Sequence, residues 1–203
     1  MTDLTNARPS LDEFVRFERV SSVEETERGL LARLHGEQLR VDLIRDDIVR
    51  VKISRGGVFD ESPTSALCVD PLSEGVTFTG ETGDGVVRLR SADLVVSLWL
   101  DPFRLDVHRP DGSAITETAR DDAGAYWSYA TLNDAFAICR RRGPNDAIYG
   151  LGEKTGTHNR SGRDFTLWNT DVLDPHATAE FIAGRPDTDP RADHTSTDFD
   201  PYY

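Results

Sequence analysis

Apolar side chains recur at every second position through much of the chain. Leu39, Val41 and Leu43 alternate with Arg40 and Asp42, and after an Asp46-Asp47 turn Val49, Val51 and Ile53 alternate with Arg50 and Lys52. Period two places one face of a strand on a core and the other in water. Gly56 and Gly57 break that run. Val87 and Leu89 then alternate with Arg88 and Arg90. Leu94, Val96, Leu98 and Leu100 form one face of the next strand, with Val95 and Trp99 on the other, so both of its faces are expected to be covered. Asp101-Pro102 interrupts, and Phe103, Leu105 and Val107 alternate with Arg104, Asp106 and His108. Pro110-Asp111-Gly112 reads as a hairpin turn, because proline presets φ and glycine accepts positive φ; Ala114 to Thr118 returns as its partner strand. A further strand is expected at Ala135 to Arg141, with Phe136 and Ile138 inward. The single helix-like stretch is Glu24 to Leu34, but Gly29 interrupts it and Gly29-Leu30-Leu31 can equally open a strand. Strands bounded by turn residues every eight to twelve positions or so predict an all-β fold, an antiparallel sandwich or barrel. No repeat, dinucleotide-binding glycine pattern or phosphate loop is present.

Composition narrows the function classes. The 203 residues carry 36 acids against 23 Lys and Arg, a formal charge of −13. An acidic surface argues against nucleic acid and anionic membranes, which require clustered cations. No run of about 18 apolar residues could span a bilayer. Met1 to Ser10 is polar and contains Asp3, so it does not read as a signal peptide. Cys68 and Cys139 fit neither zinc nor redox spacing, and a reducing, cytoplasmic setting is expected. None of the histidines pairs with another at metal-ligand spacing. His176 and His194 fall among Asp187, Asp189 and Asp193 in a charged stretch that reads more simply as a solvated loop than as a cation site. From Asp174 onward aspartate and proline dominate, and Phe181-Ile182 and Phe199 are nearly all there is to bury. The expected organisation is a tail over 1–13, a β-sandwich over 14–171 and an acidic loop or linker over 172–203.

One segment is more specific than the rest. Residues 148–171 contain Tyr149-Gly150-Leu151-Gly152-Glu153, then Gly162, then Leu167-Trp168-Asn169-Thr170-Asp171. This resembles glycoside hydrolase family 31, the α-glucosidase and α-xylosidase group, whose pattern is aromatic-Gly-Leu-Gly-Glu, a glycine-containing turn and Leu-Trp-Asn-x-Asp. Asp47-Ile48-Val49-Arg50-Val51 and Pro102 to Val107 followed by Asp111-Gly112 also fit the N-terminal domain of that family. The resemblance implies a galactose-mutarotase-like β-sandwich that precedes a (β/α)8 barrel holding both catalytic aspartates. No strand–helix alternation occurs here, and a barrel needs roughly 250 residues. The implied role is therefore non-catalytic: the domain packs on a barrel in cis and contributes a loop to the rim of an α-glycoside site. No catalytic residue, metal or cofactor is assigned to this chain. The Asp46-Asp47, Asp121-Asp122 and Glu24-Glu25 doublets read most simply as solvated turns.

The residues of the signature each read two ways. Gly150 and Gly152 permit a turn or a close backbone approach, and Glu153 can cap backbone N–H groups or pair with Lys154, Arg160 or Arg163. Tyr149 belongs to the same structural motif. Trp168 can stack on a pyranose or anchor its segment to the sandwich. Asn169 and Asp171 can hydrogen-bond sugar hydroxyls or form a turn. For Asp171 the resemblance favours a substrate contact near the leaving-group side, with Asp174 as the competing position. Two other function classes are considered. A mutarotase-like sugar epimerase would need a positioned acid and base. A free carbohydrate-binding module could use Tyr126, Trp127 and Tyr129 as a stacking platform, against the simpler reading of that cluster as core or domain interface. Self-association and a large exposed apolar patch are expected where a barrel would dock.

Overall fold

The computed structural model describes residues 10–62, 75–151, 158–162, 166–167 and 199–200. The chain divides into two compact units, Met1–Arg141 and Arg142–Tyr203. The first opens with a single 3-10 turn at Leu11–Glu13, closed by a reciprocal cap. The Ser10 hydroxyl accepts from Asp12 N, and Glu13 Oε1 accepts from Ser10 N at 2.9 Å. Strand β1 (Val15–Arg16) follows.

A four-stranded sheet comes next, built from β2 (Val20–Thr26), β3 (Gly29–Leu34), β4 (Glu37–Arg45) and β5 (Ile48–Ser54) in that spatial order. The second sheet holds β6 (Thr79–Gly83), β7 (Val86–Arg90), β8 (Val95–Leu100), β9 (Phe103–His108) and β10 (Ala114–Thr116), each beside its neighbour in sequence. Strands β11 (Ala130–Leu132) and β12 (Ala135–Ala137) join β1 in a third small sheet, ordered β1-β11-β12. All these pairings are antiparallel. Such meanders need tight turns. Between β6 and β7, Asp84 and Gly85 both take positive φ, 53° and 72°, the geometry that matches the strand twist of a two-residue hairpin.

The period-two pattern becomes a core between the two larger sheets. Leu30, Ala32 and Leu34 of β3 and Leu39, Val41 and Leu43 of β4 face Val87 and Leu89, Leu94, Val96 and Leu98, and Phe103, Leu105 and Val107. Burial at roughly 25 cal/mol per Å² of apolar surface is what holds the layers together. The expectation of an antiparallel sandwich is met, and β8 is covered on both sides as its sequence predicts, since Val95 is buried as well as Val96 and Leu98.

Of the two readings of Glu24 to Leu34 the strand holds: it is the β2–β3 hairpin, because Gly29 starts a strand whose alternate residues reach the core. Two local expectations are corrected. Phe136 and Ile138 do not point inward: their exposures are 64% and 45%. β12 is an edge strand of the small sheet, and the buried position of the hairpin is taken by Ala130 on the central β11. Asp106, expected outside with Arg104, is buried and accepts from Thr118 N at 2.8 Å.

The outer face of the four-stranded sheet is an ionic lattice. Buried Asp42 Oδ2 accepts from Arg40 Nε at 3.1 Å and from Arg50 Nη2 at 2.8 Å. Arg40 also reaches Glu61 at 2.6 Å and lies over the Phe59 ring, so the segment after β5 is strapped across this face. Ser54 Oγ donates to Val58 O at 2.6 Å and holds the start of the strap. In the second unit, β13 (Thr166–Leu167) pairs in parallel with β14 (Phe199–Asp200).

Candidate functional site

The signature segment lies in the second unit. Its stretch 148–151 and 158–162, with Asp146 just ahead of it, is a chain reversal closed by a clasp. Arg160 N donates to Ile148 O at 2.7 Å. Ile148 N in turn donates to Asn159 Oδ1 and Ser161 Oγ, both at 3.2 Å, and Ser161 Oγ donates to Asp146 O at 2.8 Å. Asn159 Oδ1 also accepts from Ser161 N at 3.0 Å, an Asx-type turn. Short polar side chains that mimic backbone partners thus fix both ends of the loop. Gly143 N donates to Asp146 Oδ2 at 2.7 Å and orders the approach.

Above the clasp the backbone turns sharply. Gly150 has φ 95° and Leu151 φ 68°. Glycine tolerates that region freely, whereas leucine does so at a cost of about 1 kcal/mol or more, which the fixed loop ends must offset. The consequence is display. Tyr149 is 68% exposed and Ile148 and Leu151 are exposed beside it, while the Arg160 side chain is buried. Gly150 thus takes a positive φ that glycine adopts without strain. Gly152, Glu153, Trp168, Asn169, Asp171 and Asp174 lie outside the described residues. Asn159 and Ser161 were not singled out from the sequence. An Asn-x-Ser triplet just ahead of Gly162 is their one sequence signal, and it is common in turns.

Other candidates resolve in the first unit. Of the Tyr126, Trp127 and Tyr129 group, Trp127 and Tyr129 are buried, and Tyr129 stacks at 5.1 Å on Phe17, so this cluster is mostly core and not an open platform. Asp121 is more than a solvated turn. Its Oδ1 accepts from Ala125 N at 2.8 Å, and its Oδ2 from Arg16 Nη1 at 2.7 Å and Trp127 Nε1 at 3.2 Å. The Ala125 bond first, then the Trp127 and Arg16 contacts, hold its carboxyl below the ordinary range. His108 Nε2 lies 3.1 Å from Glu117 Oε1, and Glu117 Oε2 lies 2.6 Å from Arg141. His35 lines a cleft of about 320 Å³ with Val15 to Arg19 and Ser21. Burial pushes the Cys139 thiol up, away from the reactive thiolate range, and Cys68 lies outside the described residues. No group of three metal-ligating side chains occurs among the described residues. No described helix is long and apolar enough to cross a membrane.

Comparison with known proteins agrees with this architecture. Residues 38–181 match the glycosyl hydrolase 31 N-terminal galactose mutarotase-like domain. Alpha-glucosidase 2 of Bacillus thermoamyloliquefaciens is 30% identical over 152 residues, 75% of this chain and 17% of that enzyme. A Flavobacterium johnsoniae family 31 dextranase, solved with isomaltotriose, superposes with a TM-score of 0.65 at 15% identity, over 78% of this chain and 19% of that one. The cycloalternan-forming enzyme of Listeria monocytogenes, solved with a pentasaccharide substrate, does so with a TM-score of 0.59 at 19% identity, over 81% of this chain and 15% of that one. The structural likeness bears on the fold alone, and the chain spans less than a quarter of each of these relatives. A match to the domain family over well more than half of the chain, in agreement with the all-β architecture, places the chain in the glycosyl hydrolase 31 N-terminal galactose mutarotase-like domain family.

Proposed function

We propose that this chain is the non-catalytic N-terminal sandwich of a retaining α-glycosidase, packing on a catalytic barrel in cis and lending a loop to the substrate rim. The observation that carries the reading is the domain-family match, together with the small share of the α-glucosidase that the chain spans. The exposed Ile148, Tyr149 and Leu151 above the clasp support it, because apolar side chains displayed on a rigid turn are what a partner surface or a sugar face requires. In this reading the sandwich is residues 14–171, and 172–203 lead toward the barrel. Trp168 stacks on the sugar, Asn169 and Asp171 hydrogen-bond its hydroxyls, and Tyr149, Gly150, Gly152 and Glu153 shape the loop. The ligand class is an α-linked oligosaccharide or α-glycoside, as the isomaltotriose and pentasaccharide bound to the dextranase and the cycloalternan-forming enzyme suggest. The hydrolysis itself runs on two carboxylates about 5–5.5 Å apart, which the barrel supplies. No metal or cofactor enters that chemistry, and a cytoplasmic setting belongs to the same proposal.

The test uses the enzyme that contains this domain and its barrel. Asp171→Asn is expected to lower kcat/KM for an α-linked disaccharide about tenfold, the loss of one charge-assisted hydrogen bond, while Asp174→Asn leaves it unchanged. An unchanged value in Asp171→Asn with a fall in Asp174→Asn moves the contact to Asp174. No effect of either removes the rim role of this loop.

A further inference from the structure

The outer face of the five-stranded sheet carries a stack of cations and rings that the proposed function does not use. The Arg88 guanidinium lies 5.6 Å from the Trp99 ring, Arg104 lies 4.0 Å from Trp99 and 4.7 Å from Tyr126, and Arg120 lies 4.3 Å from Tyr126. Arg104 Nη1 and Arg120 Nη2 both donate to the Tyr126 hydroxyl oxygen. Cross-strand register builds this arrangement: Trp99 stands opposite Arg104, and Arg120 pairs with Tyr126 across the hairpin that Asp121 closes. Of the three guanidiniums, Arg104 alone reaches a carboxylate among the described residues, its Nε 3.2 Å from Asp106 Oδ2. Asp106 already accepts from Thr118 N and faces the charge of Arg140. Arg88 and Arg120 have no carboxylate within 4 Å among the described residues, in a chain whose net charge is −13. Elsewhere the pattern is the opposite, as Arg40, Arg50 and Arg55 each sit on an acid.

We propose that Arg104, Arg120 and Tyr126 form a binding site for a compact oxyanion of the phosphate class, either free phosphate or a phosphate monoester. Two planar guanidinium forks converge on one phenol oxygen, and guanidinium geometry matches phosphate oxygens in pairs. Stacking on Trp99 and Tyr126 holds the forks in place before the ligand arrives, which reduces the ordering cost of binding. A dianion between them also relieves the repulsion of the two cations. The site is independent of the barrel reading, since every residue lies in the first unit.

The chain itself is titrated with inorganic phosphate and, separately, with glucose 1-phosphate and glucose, at constant ionic strength. Calorimetry gives the affinity and the arginine Nε–H resonances give the location. Saturable phosphate binding with shifts at Arg104 and Arg120 is expected, with none for glucose. Arg120→Gln, an exposed position, should weaken it about tenfold or more, and Tyr126→Phe should weaken it as well. Arg45→Gln, at an exposed pair with Asp47, should leave it unchanged. Tighter binding of glucose 1-phosphate assigns the ester as ligand, and equal binding assigns the free ion. Absence of saturation, or equal affinity in Arg120→Gln, overturns the proposal.

Discussion

Single residues here carry more structure than their sequence context suggests. Asp121 belongs to an acidic doublet that reads as solvated, yet it closes the 120–126 hairpin and ties it to Arg16 and Trp127. Its depressed carboxyl has a consequence for pH. The folded value lies below the unfolded one, so on acidification the unfolded chain takes up the proton first. The stabilisation is therefore complete above the ordinary aspartate range and is lost as pH falls from about 5 through the folded value. Asp121→Asn should lower stability at neutral pH and flatten the acid limb of the stability curve. Denaturant melts of both proteins at several pH values check this; parallel acid limbs would mean that Asp121 is not a group that titrates with folding. His108 is a similar case of a surface residue that tertiary structure engages, since Glu117, its partner, is nine positions away, just past the returning strand.

Elements were legible where one face alternated cleanly and less so where the pattern was interrupted. β4, β7, β8 and β9 follow from their apolar alternation, because each buries one face in the same layer. Glu24 to Leu34 was ambiguous because glycine lowers both helix and strand propensity. What decides it is packing: a side chain at Gly29 would place its Cβ 2.1 Å from Val41 O on β4 and 3.2 Å from Leu89 Cδ1. Glycine is required there by the close approach of two strands. Gly29→Ala should cost about 1–3 kcal/mol in denaturant unfolding, because a backbone carbonyl must move. A cost near zero would show that β3 and β4 can separate locally at no expense. The outer edge of β9 teaches the same lesson. β10 pairs with only its last two residues, so the carbonyls of Phe103 and Leu105 are met by Ser128 Oγ at 2.6 Å and Thr118 Oγ1 at 3.2 Å, donors no local pattern announces.

At the scale of the whole molecule, large apolar side chains of the small sheet are exposed. Val15, Thr131 and Phe136 stand in one cross-strand row of the small sheet, and Val15 is 70% exposed. Phe136, 64% exposed, meets Tyr129 in a tilted ring contact, centroids 6.4 Å apart. Phe136→Glu is thus expected to cost less than about 1 kcal/mol of stability while reducing concentration-dependent association of the chain in sedimentation velocity. A large loss of stability would instead make this row part of the core.

The sequence by itself determined the all-β antiparallel class, the strands with clean alternation and the family signature at Tyr149 to Glu153. These depend on periodicity and on local turn chemistry, both of which are written along the chain. Only the tertiary structure decided which face of the β11–β12 hairpin is buried, why Gly29 must be glycine, which acids are structural, and that Arg88, Arg104 and Arg120 gather on two rings. Those outcomes depend on contacts between residues up to about a hundred positions apart, such as Arg16 with Asp121, and nothing in local spacing encodes them. The clasp at Ile148 lies between the two cases. Its asparagine and serine are visible as turn formers, but only the folded chain shows that they close the signature loop and display Tyr149.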